Sequence, residues 1–173
     1  MEKLNVSGRV LTVLLLTAFP FVAFAANVRF GNSAMNDRDS GSNNVAMGDY
    51  TLYSNTIGTN NIASGYAALF RNTTGSGNTA SGYLGLYNNT TGSNNIAAGY
   101  ASLYSNTSGY NNIASGYAAL YNNTTGSYNI ASGAEALFNN TTGGYNTALG
   151  TRALYSNTTG NQNTGSGYAA LSN

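Results

Sequence analysis

Few residues in this chain could do chemistry, and their spacing mostly excludes it. Asp37-x-Asp39-x-Gly41 sets two carboxylates ahead of a turn glycine, as a calcium loop does. It lacks a third acidic or asparagine ligand in frame and a distal glutamate, so a charged cap on a folded unit is the better reading. The other carboxylates beyond the first ten residues, Asp49 and Glu135, stand far apart. With no histidine and no cysteine there is no disulfide, no thiolate nucleophile, no zinc site of the usual ligand set and no His-based proton transfer. No lysine follows Lys3, which removes a phosphate-cradling P-loop. The residues therefore point to a non-enzymatic protein with no metal and no cofactor.

Two patterns remain that could meet a ligand. Asn-Thr-Thr recurs at Asn72-Thr73-Thr74, Asn89-Thr90-Thr91, Asn123-Thr124-Thr125, Asn140-Thr141-Thr142 and Asn157-Thr158-Thr159, each formally an N-glycosylation sequon. Turn chemistry, with Asn and Thr bonding the local backbone before a glycine, is the favoured account. Evenly spaced threonines would also suit an ice-binding face, although adjacent threonines in a strand point to opposite sides. Tyr53, Tyr87, Tyr104, Tyr121 and Tyr155, with Phe70 and Phe138 between them, recur at one spacing and form a candidate surface ladder.

The elements that position these residues come from a repeat. In units of seventeen residues, typified by Asn112 to Tyr128, the leading asparagines fall at Asn27, Asn44, Asn61, Asn78, Asn95, Asn112, Asn129, Asn146 and Asn163, without a slip. A fixed period of this length predicts stacked coils, an all-β β-solenoid or β-roll of about nine turns. At the spacing of paired strands, nine coils make a rod of roughly 40 Å.

Within the unit, the short Asn-Ile-Ala-Ser segment suits a strand. Its third position is alanine in seven of nine copies, Ala46 to Ala148, as close packing requires. The fifth position is always glycine (Gly48, Gly65, Gly82, Gly99, Gly116, Gly133 and Gly150 among them), and so is the fifteenth in every complete copy. Two corners needing positive φ or close approach are expected there. The ninth position is Leu52, Leu69, Leu86, Leu103, Leu120, Leu137, Leu154 and Leu171, the expected buried column. Each buried leucine contributes roughly 1.5–3 kcal/mol. Tyr-Ala-Ala-Leu-Tyr is ambiguous between strand and helical turn. Small residues precede every leucine, so both faces look packed, as in a compact turn or against a second chain.

Only 6% of residues are charged and the net charge is +1, so charge will not steer the chain to nucleic acid or acidic membranes. Lys3 and Arg9, the apolar run from Val10 to Phe19, and Ala23-Phe24-Ala25 read as a secretory signal over residues 1–25. The run is shorter than the ~20 residues of a membrane span, so no membrane insertion is expected after cleavage. Residues 26–43 read as a degenerate amino-terminal capping repeat carrying Arg29, Asp37, Arg38 and Asp39, and 44–173 as tandem repeats. The ninth unit is incomplete and shows no cap of its own. A capped start and an open end leave one strand edge for pairing with another chain.

From Asn146 to Gly160 the sequence NTALGTRALYSNTTG resembles the NTALG-type tandem repeats of secreted bacterial surface and tail-fibre-like proteins. More distantly the units are similar to the head repeats of trimeric autotransporter (YadA-like) adhesins. The resemblance implies parallel left-handed β-rolls, three chains around one axis, and adhesion as the role. The expected protein is thus a secreted bacterial surface or extracellular fibre protein, adhesive or filament-forming, self-associating as a homotrimer or an end-to-end polymer. A host surface, matrix or carbohydrate is its expected ligand. An amyloid-like biofilm matrix subunit and an ice-binding solenoid using its Thr arrays are the alternatives.

Overall fold

The computed structural model describes residues 3–6, 9–12, 27–35 and 40–173. The cleavage pattern Ala23-Phe24-Ala25 and the Asp37 and Asp39 pair lie outside the described residues. Near the amino end, β1 (Lys3–Val6) and β2 (Arg9–Thr12) pair antiparallel with each other. All other strands belong to one sheet: β3 (Val28–Phe30), β4 (Val45–Met47), β5 (Ile62–Ser64), β6 (Thr79–Ser81), β7 (Ile96–Ala98), β8 (Ile113–Ser115), β9 (Ile130–Ser132), β10 (Thr147–Leu149) and β11 (Thr164–Ser166). They stack in chain order, every pair parallel, each residue opposite the one seventeen further on, as Ile113 is to Ile130. This is a parallel β-solenoid, one three-residue strand per coil, with no helix among the described residues.

The strands are short because glycine ends each one. Gly116 has φ 138° and a Cβ there would stand 2.6 Å from the Gly133 carbonyl oxygen, so both conformation and space demand glycine. Hydrogen bonding between coils nevertheless continues beyond the strand. Ala118 N donates to Tyr100 O of the preceding coil at 2.9 Å, and Leu120 N to Ala136 O of the following coil at 3.0 Å. Thr124 N then donates to Thr141 O at 2.9 Å.

The Tyr-Ala-Ala-Leu-Tyr segment is therefore a compact turn, neither strand nor helical turn. Ala118 and Leu120 have φ of 51° and 52°, alternating with residues of ordinary hand. Reversing hand at Leu120 lets Ala119 and Leu120, neighbours in sequence, both point inward, and both are fully buried. A left-handed leucine costs about 1–2 kcal/mol. Its burial and its inter-coil hydrogen bond offset that.

Two columns of different character fill the interior. The apolar one holds the strand alanines (Ala46, Ala63, Ala80, Ala97, Ala114, Ala131, Ala148) against the fully buried Leu52, Leu69, Leu86, Leu103, Leu120 and Leu137, with Leu154 almost as covered. Leu171, expected in this column, is instead 62% exposed. The polar column is asparagine. Asn61, Asn78, Asn95, Asn112, Asn129 and Asn146 form one ladder, and Asn72, Asn89, Asn106, Asn123 and Asn140 a second, all fully buried. Asn112 and Asn123 both donate to Gly126 O, at 2.8 and 2.9 Å. Asn112 also reaches Asn95 Oδ1 (3.1 Å), and Asn123 reaches Asn106 Oδ1 (2.8 Å). No buried side-chain polar atom among the described residues lacks a partner, which a buried amide ladder requires.

Gly126 and its equivalents have ordinary φ. Their glycine requirement is purely steric, since a Cβ at Gly126 would run into the Asn123 amide oxygen and the Gly143 carbonyl.

Candidate functional site

The outer surface carries what the interior does not use. On the solvent side of the sheet, Ile62, Ile96, Ile113 and Ile130 stand in one column, with Thr79 between the first two and serine or alanine two residues on. Beyond the strand glycine comes an aromatic column that the sequence reading did not single out: Tyr66, Tyr83, Tyr100 and Tyr117 stack face to face with centroids 5.2–5.3 Å apart and planes within 10–12°. The signal for it was present, because tyrosine follows the fifth-position glycine in these copies. Their side chains lie outside the turn, on the same surface as the anticipated ladder.

That anticipated ladder is continuous. Tyr53, Phe70, Tyr87, Tyr104, Tyr121, Phe138 and Tyr155 stack with centroids 5.0–5.4 Å apart and planes within 3–9°. Strand-like spacing between coils imposes this repeat, and offset stacking of the rings accepts it. Burial, then neighbouring tyrosines led by Tyr104, push the Tyr121 phenol above its ordinary value. Because ring faces are covered by the next rung, the ladder shows solvent its edges and hydroxyls.

Between the two ladders runs a groove whose floor is the left-handed residue after the tyrosine: Ala67, Leu84, Ala101 and Ala118. A cavity of about 280 Å³ opens there, lined by Tyr50, Tyr66, Ala67, Phe70, Leu84, Tyr87 and Tyr104. At the amino end Tyr50 occupies the floor position with its ring edge-to-face to Tyr66 (5.8 Å, 73°) and to Phe70 (6.4 Å, 63°). Towards the carboxy end Glu135 and Arg152 stand at that position and form an ion pair of 2.6 Å, with Arg152 also over the Tyr155 ring. The Arg71 guanidinium stands 5.9 Å from the ring centroid of Tyr87, one of the residues lining that cavity.

The threonines are largely committed to structure. Thr56, Thr73, Thr90, Thr107, Thr124 and Thr141 each donate their hydroxyl to the backbone carbonyl of the threonine seventeen residues on, at 2.8–3.0 Å. Only the second threonine of each pair forms an exposed column, at Thr74, Thr91, Thr125, Thr142 and Thr159. The sequon asparagines Asn72, Asn89, Asn123 and Asn140 are fully buried, and their side-chain nitrogens are spent on hydrogen bonds, so the folded coil has no place for a glycan on them.

Fold and surface together define a parallel β-solenoid with paired aromatic ladders. No family model, no curated protein and no solved structure matches the chain.

Proposed function

We propose that this is a non-enzymatic, secreted bacterial surface or extracellular fibre protein, whose solenoid acts as a stiff spacer with an adhesive side. The observation that carries the reading is the pair of continuous aromatic ladders beside an exposed isoleucine column, on a scaffold whose polar interior is fully satisfied. Exposed, ordered apolar and aromatic surface of this extent is the kind that meets another surface. The resemblance of Asn146 to Gly160 to NTALG-type repeats of surface and tail-fibre-like proteins points the same way. So does the more distant similarity to trimeric adhesin heads.

An ice-binding role is less favoured, because the hydroxyls of Thr73, Thr90, Thr124 and Thr141, the first of each pair, are held by the backbone of the next coil. The amyloid-like matrix reading draws on the same ladders, which reproduce within one chain the side-chain stacking of a cross-β fibre.

Light scattering on residues 26–173 over a concentration series separates these roles. A discrete particle of fixed mass, monomeric or trimeric, that is retained on a carbohydrate or matrix-coated surface supports the adhesive module. Mass growing without limit as concentration rises would replace it with the matrix subunit. A discrete particle that no such surface retains would remove adhesion.

A further inference from the structure

The groove between the ladders goes beyond an adhesive surface, because the chain itself shows what fits inside it. Tyr50 stands at the floor position, and its ring lies between the two ladders with its plane steeply inclined to Tyr66, Phe70 and Tyr53, at centroid distances of 5.8, 6.4 and 6.3 Å. Edge-to-face contact of this kind is how aromatic rings meet when their stacking faces are already taken. One coil further on the floor residue is Ala67, and the ring is missing from the same place. There the walls continue as Tyr66, Phe70 and Tyr87, and the space left is the cavity of about 280 Å³. Leu84 bounds it on the far side.

Charge selects among planar aromatic occupants. The Arg71 guanidinium lies over Tyr87, one of the residues lining this cavity, with no carboxylate in ion-pair range among the described residues. Asp49, next to Tyr50, accepts the Asn32 backbone N–H at 2.7 Å. Further along, the Arg152 cation is already paired with Glu135. We propose that the groove over Ala67 is a binding site for a planar aromatic molecule bearing an anionic group, its rings over Ala67 against Phe70 and Tyr87 and its anion on the Arg71 guanidinium.

The test titrates residues 26–173 with anilinonaphthalene sulfonate, an anionic planar aromatic whose emission rises away from water, and with the cationic planar dye thioflavin T. Particle mass and thermal unfolding are followed in the same samples. Ala67→Tyr copies the Tyr50 ring into the cavity at a position whose left-handed backbone already accepts tyrosine one coil earlier. The expected results are saturable binding of the anionic probe to particles of unchanged mass, weakened about tenfold by Ala67→Tyr. Arg71→Gln should remove the preference for the anionic over the cationic probe. Equal binding by Ala67→Tyr and the parent would overturn the proposal. So would a signal that grows only with aggregate mass, or a preference for the cation. Because the readout is a small molecule on a particle of known mass, these results are independent of whether the protein adheres to any surface.

Discussion

The side-chain amide of Asn123 donates to Oδ1 of Asn106, seventeen residues earlier, at 2.8 Å, and to Gly126 O at 2.9 Å, while its own Oδ1 accepts from Asn140. One buried side chain thus ties three coils together and closes its own turn. A low-charge chain without disulfides is held by repetition of this link.

Replacing Asn123 by alanine leaves Asn106 Oδ1 without this donor and Asn140 without this acceptor, inside the buried core. The expected loss is about 1–3 kcal/mol, read from the denaturation midpoint. Asn122→Ala, next door but only part-buried, should change stability by no more than about 0.5 kcal/mol. Equal effects of the two would mean that the ladder does not hold the coils.

Leu120→Ala empties one rung of the apolar column, between Leu103 and Leu137. About 2–5 kcal/mol should be lost, with hydrogen exchange quickening first in the coils on either side. Leu171→Ala, exposed in the last coil, should be nearly silent. Comparable losses at the two leucines would contradict the assigned core.

Alkaline pH should weaken the solenoid through Tyr121. The folded state raises the Tyr121 phenol above the ordinary value of 10.0, by burial first and then by neighbouring tyrosines. A raised pKa means that the stability it contributes is complete below pH 10 and is lost as pH climbs through the folded value. The melting temperature is therefore expected to fall above about pH 10, and to fall less steeply in Tyr121→Phe. An unchanged slope in that variant would remove the ladder from the cause.

The period, the strand, the leucine column and one aromatic ladder were legible in the sequence because each is a column of like residues. Register alone brings such residues together. The path of the turn was not legible. Alternation of hand at Ala118 and Leu120 is a backbone choice that leucine rarely makes, so the inward direction of both Ala119 and Leu120 could be narrowed only to a turn or a second chain. The groove was hidden for the same reason: the turn carries Tyr117 and Tyr121 to two sides of Ala118, which no strand or helix spacing would suggest. Asn123 showed itself as part of a sequon or turn. Its burial becomes evident only once Gly126 is seen to present a carbonyl to it.

The in-register parallel stack is the claim on which the rest depends, and a chain without cysteine allows it to be tested directly. Asn122 and Asn139 lie on adjacent coils with their side-chain amides 3.2 Å apart. In Asn122→Cys/Asn139→Cys, mild oxidation should give a disulfide within one chain, because adjacent coils place the two Cα atoms within the roughly 4.4–6.8 Å that a disulfide spans. Asn122→Cys/Ser156→Cys, two coils apart at roughly 9–10 Å, should give none. Rapid closure of the first pair alone is the predicted result; closure of both at similar rates, or of neither, would contradict the seventeen-residue coil.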